Sequence, residues 1–166
     1  MTMEVRERRP IHLLMRFSDK LFSQIKVIEA HQDVIGKHGI VWMGKIGKTL
    51  GHLKVAIANE QIKNGLPTFV FLVQYTSGAY EFHKATLLEV THRLPPGVSK
   101  FVPHYYFDHG IDKIATLWLK LSKIEPIGPR LKNLRIQSSK MTAQKSLSKS
   151  TAGLLVIEEG IGIDNY

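Results

Sequence analysis

Lys37-His38-Gly39-Ile40-Val41-Trp42-Met43-Gly44-Lys45-Ile46-Gly47-Lys48-Thr49 carries the reading of the chain. Gly39 is a helix-stop residue, and the apolar run after it reads as a strand ending in a basic, glycine-rich turn. An indole, Trp42, stands just before the cations Lys45 and Lys48. A flat aromatic face beside ammonium groups and free backbone N–H groups is what nucleotide binding requires. Gly47-Lys48-Thr49 also imitates the end of a triphosphate-binding loop. That motif needs a glycine five positions before Gly47, where Trp42 stands, so the NTPase reading is rejected.

Upstream, Ile11–Phe17 reads as a buried first strand. Ile25, Val27, Ile28, Val34 and Ile35 form the apolar stripe of a helix between Gln24 and His38. Downstream, Leu50–Asn64 reads as a second helix with Leu53, Ala56, Ile57 and Ile62 inward and Gly65 as its stop. Thr68–Tyr75 is a strand that Thr76-Ser77-Gly78 turns into Tyr80–His92, an antiparallel hairpin. Residues 93–112 read as a long irregular segment, and such segments are usually functional or disordered. Four aromatics between Phe101 and Phe107 argue for order. Ile114–Ile124 and Gly153–Ile157 are the remaining strands. These elements predict an α+β domain over 11–157, about six mostly antiparallel strands curled or closed into a barrel with flanking helices. A charged arm (1–10) precedes it, and a tail or linker (158–166) follows.

The 166 residues are 43% hydrophobic, enough for one domain with a core of its own. With no cysteine, disulfide frameworks and thiolate metal sites are excluded. No apolar run approaches the ~20 residues that span a bilayer, and the charged N-terminus lacks a signal-peptide core. A cytoplasmic protein without membrane association is expected. The net charge of +9 fits an anionic partner, and the lysines cluster: 37, 45, 48 and 54 flank the Trp42 turn. A second basic stretch runs from Arg130 to Lys149.

In their order these motifs resemble the YTH and EVE branches of the PUA-like superfamily, from about His38 to Ile157. The helix, glycine, Val41-Trp42 step comes first. Then follow Thr68–Val73, Ser77-Gly78 and Phe82-His83-Lys84-Ala85, similar to the strand, Ser-Gly turn and strand of YTH domains. Trp118 resembles a framework tryptophan on a later strand, and Leu131–Ile136 with Leu154–Ile157 match the closing segments. The resemblance implies a barrel that reads a modified, usually methylated, base in an aromatic cage. Such domains include N-terminal readers of McrB-type restriction systems, whose associated NTPase or nuclease does the cleaving. The second cage aromatic of the family, often tryptophan, is absent as such. The corresponding loop offers Phe101, Tyr105, Tyr106 and Phe107 instead.

The residues themselves support a base site of Trp42, the backbone of Met43 and Gly44, Asn59, Ser77, Phe101, and one of Tyr105 and Tyr106. Lys45, Lys48 and Arg135 are the phosphate candidates. For each there is a plainer role: Trp42 as a strand-end core residue, the loop aromatics as a plug, the cations as solvated surface. Base–aromatic stacking contributes roughly 1–3 kcal/mol per base, so one or two rings matter. No cofactor or metal is expected, and binding is favoured over catalysis. No histidine pair has the zinc-hydrolase spacing, and Glu81 and Glu89 form no dyad. The alternatives are an RNA-binding PUA-like domain without modification specificity, and a small nucleotide-acting enzyme using His104 or His109.

Overall fold

The computed structural model describes residues 10–18, 26–76, 79–128, 134–136 and 154–159. Along the chain run β1 (Ile11–Ser18), α1 (Val27–His38), β2 (Val41–Ile46), α2 (His52–Lys63), β3 (Phe69–Thr76) and β4 (Ala79–Thr91). A 3-10 turn (Ser99–Phe101) and two single-turn helices, α3 (Tyr105–Asp108) and α4 (Ile111–Ile114), lead to β5 (Ala115–Pro126), β6 (Leu134–Ile136) and β7 (Leu154–Glu159). The segment expected to be irregular is therefore built from short helical turns.

The strands form one sheet of seven in the order β2-β5-β4-β3-β1-β7-β6. All neighbours are antiparallel except β1 and β3, which run parallel from Leu13↔Val70 to Ser18↔Tyr75. The sheet is mixed and open, with β2 and β6 at its edges, which corrects the expected barrel closure. At the β2 edge the physical reason is visible. The Gly44 N–H donates to the Tyr106 hydroxyl (3.1 Å), a side chain standing where a closing strand would pair.

Alternation along the strands sorts side chains to two faces. Ile11, Leu13 and Met15 of β1, Val70 and Leu72 of β3, Ala85 and Leu87 of β4 and the leucines 117, 119 and 121 of β5 build the main core with Ile28 of α1 and Val55 and Ala58 of α2. The opposite face carries Leu14, Phe71, Val73, Phe82 and Ile157. On β2 and β5 that opposite phase places Trp42 and Trp118 under the 92–114 segment, with Val102, Tyr106 and Ile111.

Helix α2 packs Ile57 and Ile62 against the main core as expected, but its most buried face is rotated from the one its apolar residues suggest. Val55, Ala58 and Gln61 are buried, Ala56 is exposed and Leu53 is 70% exposed. Two inward amides explain the phase. Gln61 accepts from the Ile11 N–H (2.8 Å) and donates to the Ile11 carbonyl (2.8 Å) and the Thr68 hydroxyl (2.7 Å), extending the start of β1 with a side chain. Asn59 donates to the Val90 carbonyl (2.8 Å) and accepts from the Val90 N–H (2.9 Å). The β4–β5 register shifts between Leu87 and Glu89, and Asn59 satisfies the backbone beside that irregularity. This corrects its expected base-binding role. The last strand also outruns the expected boundary at residue 157, since Glu158 pairs with Ile11 and Arg135 and is buried.

Asn59→Ala strips both Val90 groups of their partner and is expected to destabilise the fold by about 1–3 kcal/mol. Urea unfolding measures the loss; a change below a few tenths of a kcal/mol would contradict this account of the α2 phase.

Candidate nucleic-acid interface

The structure gathers Trp42, Tyr106, Trp118, Val102 and Ile111 into one cluster, and closes it. Trp42, Tyr106 and Trp118 are each 2% exposed. The Tyr106 ring lies 5.8 Å from that of Trp118 and 4.8 Å from that of Tyr105. Trp42 therefore has no free stacking face, which corrects the expectation of an open indole. Its place in strand alternation is the cause: Val41 and Met43 fill the main core, and Trp42 points the other way, beneath the 92–114 segment. Met43 is core, and the Gly44 N–H is committed to Tyr106.

A hydrogen-bonded chain fixes the plug. His31 of α1 is fully buried, and its Nδ1 lies 2.7 Å from the Val27 carbonyl. Nδ1 must carry the proton to donate there, so Nε2 accepts from the Tyr106 hydroxyl at 2.8 Å. The Tyr106 oxygen in turn accepts from the Gly44 N–H. Burial pushes the His31 pKa down from 6.5 to about 4, opposed by the Val27 carbonyl. Burial first, then the neighbouring Tyr105, raises the Tyr106 phenol well above 10. Both groups are held neutral, as the donor–acceptor sequence requires. A Cβ at Gly44 would lie 3.0 Å from the Tyr106 ring, 3.1 Å from Trp118 and 3.2 Å from Ala115, so glycine lets the plug seat. His31 was missed in the sequence; its position three residues after Ile28 on the buried helix face is the signal that finds it.

The basic turn is pinned by hydrogen bonds, with Lys45 half-buried and residues 46–49 exposed. Gly47 adopts φ +84°, in the left-handed region. The Thr116 hydroxyl shares its proton between the carbonyls of Lys45 (3.1 Å) and Gly47 (2.8 Å), and the Thr49 hydroxyl donates to the Thr116 carbonyl (3.0 Å). The Lys45 ammonium donates to the Ile46 carbonyl. Its pKa is lowered by burial first and by the positive charge of Lys48 second. Among the described residues neither ammonium meets a carboxylate.

The other expected residues are dispersed. Phe101 is half-buried, with His38 edge-on at 5.4 Å and the Lys100 ammonium 4.9 Å from its ring centroid. Tyr105 is half-buried against His31 and Tyr106. Arg135 stands on β6 at the far edge from β2; its side chain, like Ser77, lies outside the described residues. His104 is 88% exposed and pairs loosely with Asp108 at 3.7 Å, and His109 is also exposed. Among the described residues no three His, Asp or Glu side chains could share a metal, and no helix is long and apolar enough to cross a membrane.

The sequence of the chain matches the Pua-like family model over residues 13–151. The chain belongs to the PUA-like family. As a PUA-like protein it is a domain of the nucleic-acid-binding type. No curated protein and no solved structure matches the chain.

Two outcomes test the closed cluster. Gly44→Ala forces immobilised rings apart and is expected to lower stability by about 1–3 kcal/mol, read from the melting temperature. The histidine gives a pH signature. Its folded pKa (about 4) lies below the unfolded value (6.5), so the unfolded chain binds the extra proton between them. The contribution of His31 is complete above pH 6.5 and disappears as pH falls towards 4. Melting curves across this window should show a steeper acid loss for the wild type than for His31→Gln; parallel profiles would mean that the fold does not lower the His31 pKa.

Proposed function

We propose that this PUA-like domain is a non-catalytic nucleic-acid-binding module that grips phosphate through the Lys45–Gly47–Lys48 turn, without specificity for a modified base. The observation that carries this reading is the turn itself: the half-buried Lys45 and the exposed Lys48, two like charges on a clamped backbone, with no carboxylate to neutralise them among the described residues. Holding two ammonium groups together has an electrostatic cost, and an incoming phosphate relieves it. Exposed Ile46 (39%) and Ile114 (56%) flank the turn and offer apolar contact to a sugar or base.

The narrower function that the YTH and EVE resemblance implies is a methylated-base reader in a restriction or defence system. It needs a ligand between Trp42 and a loop aromatic. Tyr106 occupies that place and is held by two hydrogen bonds, which favours binding indifferent to methylation. The enzyme alternative loses support because His104 and His109 are solvent-facing.

Fluorescence anisotropy with methylated and unmodified DNA and RNA oligonucleotides, over a range of salt, tests the proposal. The wild type should bind methylated and plain forms alike. Lys45→Ala with Lys48→Ala should reduce the slope of log K against log salt by about 1–2, as expected for two lost phosphate contacts. An unchanged slope would remove the turn from the interface. A methyl preference that vanishes in Trp42→Ala would restore the cage.

A further inference from the structure

The core-facing side of the sheet changes character at one end. On β3 the inward sequence is Val70, Leu72, Gln74; on β4, read backwards from the core, it is Leu87, Ala85, His83, Glu81. Gln74 stands directly opposite Glu81, and Leu72 opposite His83. Polar side chains thus replace apolar ones on the core face of two neighbouring strands beneath the first turn of α1.

The result is a hollow of about 320 Å³ lined by Val27, Ile28 and Gln32 of α1 and by Gln74, Glu81 and His83 of the sheet, with Lys26 and Glu29 also on its walls. This is the small end of the ~300–1,000 Å³ range of ligand pockets, suited to one flat ring system. The Nδ1 of His83 is shielded from solvent and has no hydrogen-bond partner among the described residues. A buried, unsatisfied ring nitrogen is uncommon in a native fold and marks a place where a ligand atom completes the bonding. Gln74 is buried, and the Gln32 amide nitrogen is held by the Ile124 carbonyl (3.1 Å), so this wall is fixed in place.

The lining also selects. Glu29 and Glu81 outnumber Lys26, which disfavours an anion. Two carboxamides and an imidazole present mixed donors and acceptors, the pattern that meets the edge of a neutral heterocycle, while Val27 and Ile28 offer an apolar wall to its face. Three hydrogen bonds in succession, 3.1, 2.8 and 2.7 Å long, lead from Gly44 through Tyr106 and His31 to the Val27 carbonyl. The basic turn begins at the residue after Gly44, and Val27 is on the wall of the hollow.

We propose that this hollow accepts a single uncharged nucleobase, with the Nδ1 of His83 bonding its edge and Gln74 lining the wall beside it. The assignment rests on the nucleic-acid-binding reading for its choice of ring, and its test is separable from that reading. Wild-type protein labelled with ¹⁵N, including the histidine side chains, is titrated with adenosine, guanosine, cytidine and uridine, and separately with inorganic phosphate. At least one nucleoside should shift the His83 and Gln74 side-chain resonances saturably, phosphate should leave them in place, and His83→Leu or Gln74→Leu should weaken that nucleoside at least tenfold. Lys45→Ala with Lys48→Ala should leave nucleoside binding intact while weakening oligonucleotides. If all four nucleosides at about 10 mM leave both resonances unmoved, or the shifts survive in both leucine variants, the pocket assignment fails. The wild-type titration decides the matter even where a variant does not fold.

Discussion

The Tyr106 hydroxyl is the joint of this structure. An edge strand presents backbone N–H groups that must find a partner, and a barrel would supply one by pairing its edges. Here a phenol supplies it to Gly44 and donates its own hydrogen bond to His31, whose second nitrogen ties back to the Val27 carbonyl. Helix α1, strand β2 and the segment between β4 and β5 are joined through one oxygen atom. The arrangement works only while His31 and Tyr106 are uncharged, and their burial secures that.

That joint decides what the aromatic residues do. A glycine beside an indole is an invitation to a ligand when the space above it is empty. When a ring of the same chain fills the space, the same glycine lets the ring seat. Trp42, Tyr106 and Trp118 then stabilise the fold by burial, at roughly 1.5–3 kcal/mol for a large apolar side chain. Binding is left to the surfaces that remain polar: the clamped turn outside the plug and the end of the sheet where the core gives way to amides.

Much of the frame was legible in the sequence because periodicity reports which way a side chain points. Strands β3 and β4, helix α1 and the burial of Trp118 follow from alternation and from the Gly39 stop. The misreadings share one cause. Sequence patterns assign apolar residues inward and polar ones outward, and this fold breaks that rule at Gln61, Asn59 and His31, each of which satisfies backbone or a buried hydroxyl. A polar residue turned inward rotates the inferred face of its helix, which is why Leu53 and Ala56 were placed inside. The barrel was inferred from strand number, whereas closure depends on whether two edges meet, a long-range fact that local pattern does not contain. The phosphate turn stayed legible because its chemistry is contiguous, from Lys45 to Thr49. The polar hollow is assembled from β3, β4 and α1, and only the pairing of Gln74 with Glu81 brings its parts together.

The two remaining polar surfaces ask for opposite things. Lys45 and Lys48 repel one another and are relieved by negative charge; the hollow, with Glu29 and Glu81 in its lining, rejects negative charge and offers neutral groups to a ring. A free phosphate meets only the first demand and a free base only the second. Lys45 pairs with Leu117 and His83 lies opposite Pro126, so the two surfaces stand towards opposite ends of β5 and no single nucleotide meets both. The hydrogen-bonded chain through Tyr106 and His31 ties the start of the turn to the Val27 carbonyl, and Val27 walls the hollow. The buried joint that denies Trp42 a ligand is then also the link between strand β2, which carries the turn, and helix α1, which walls the hollow.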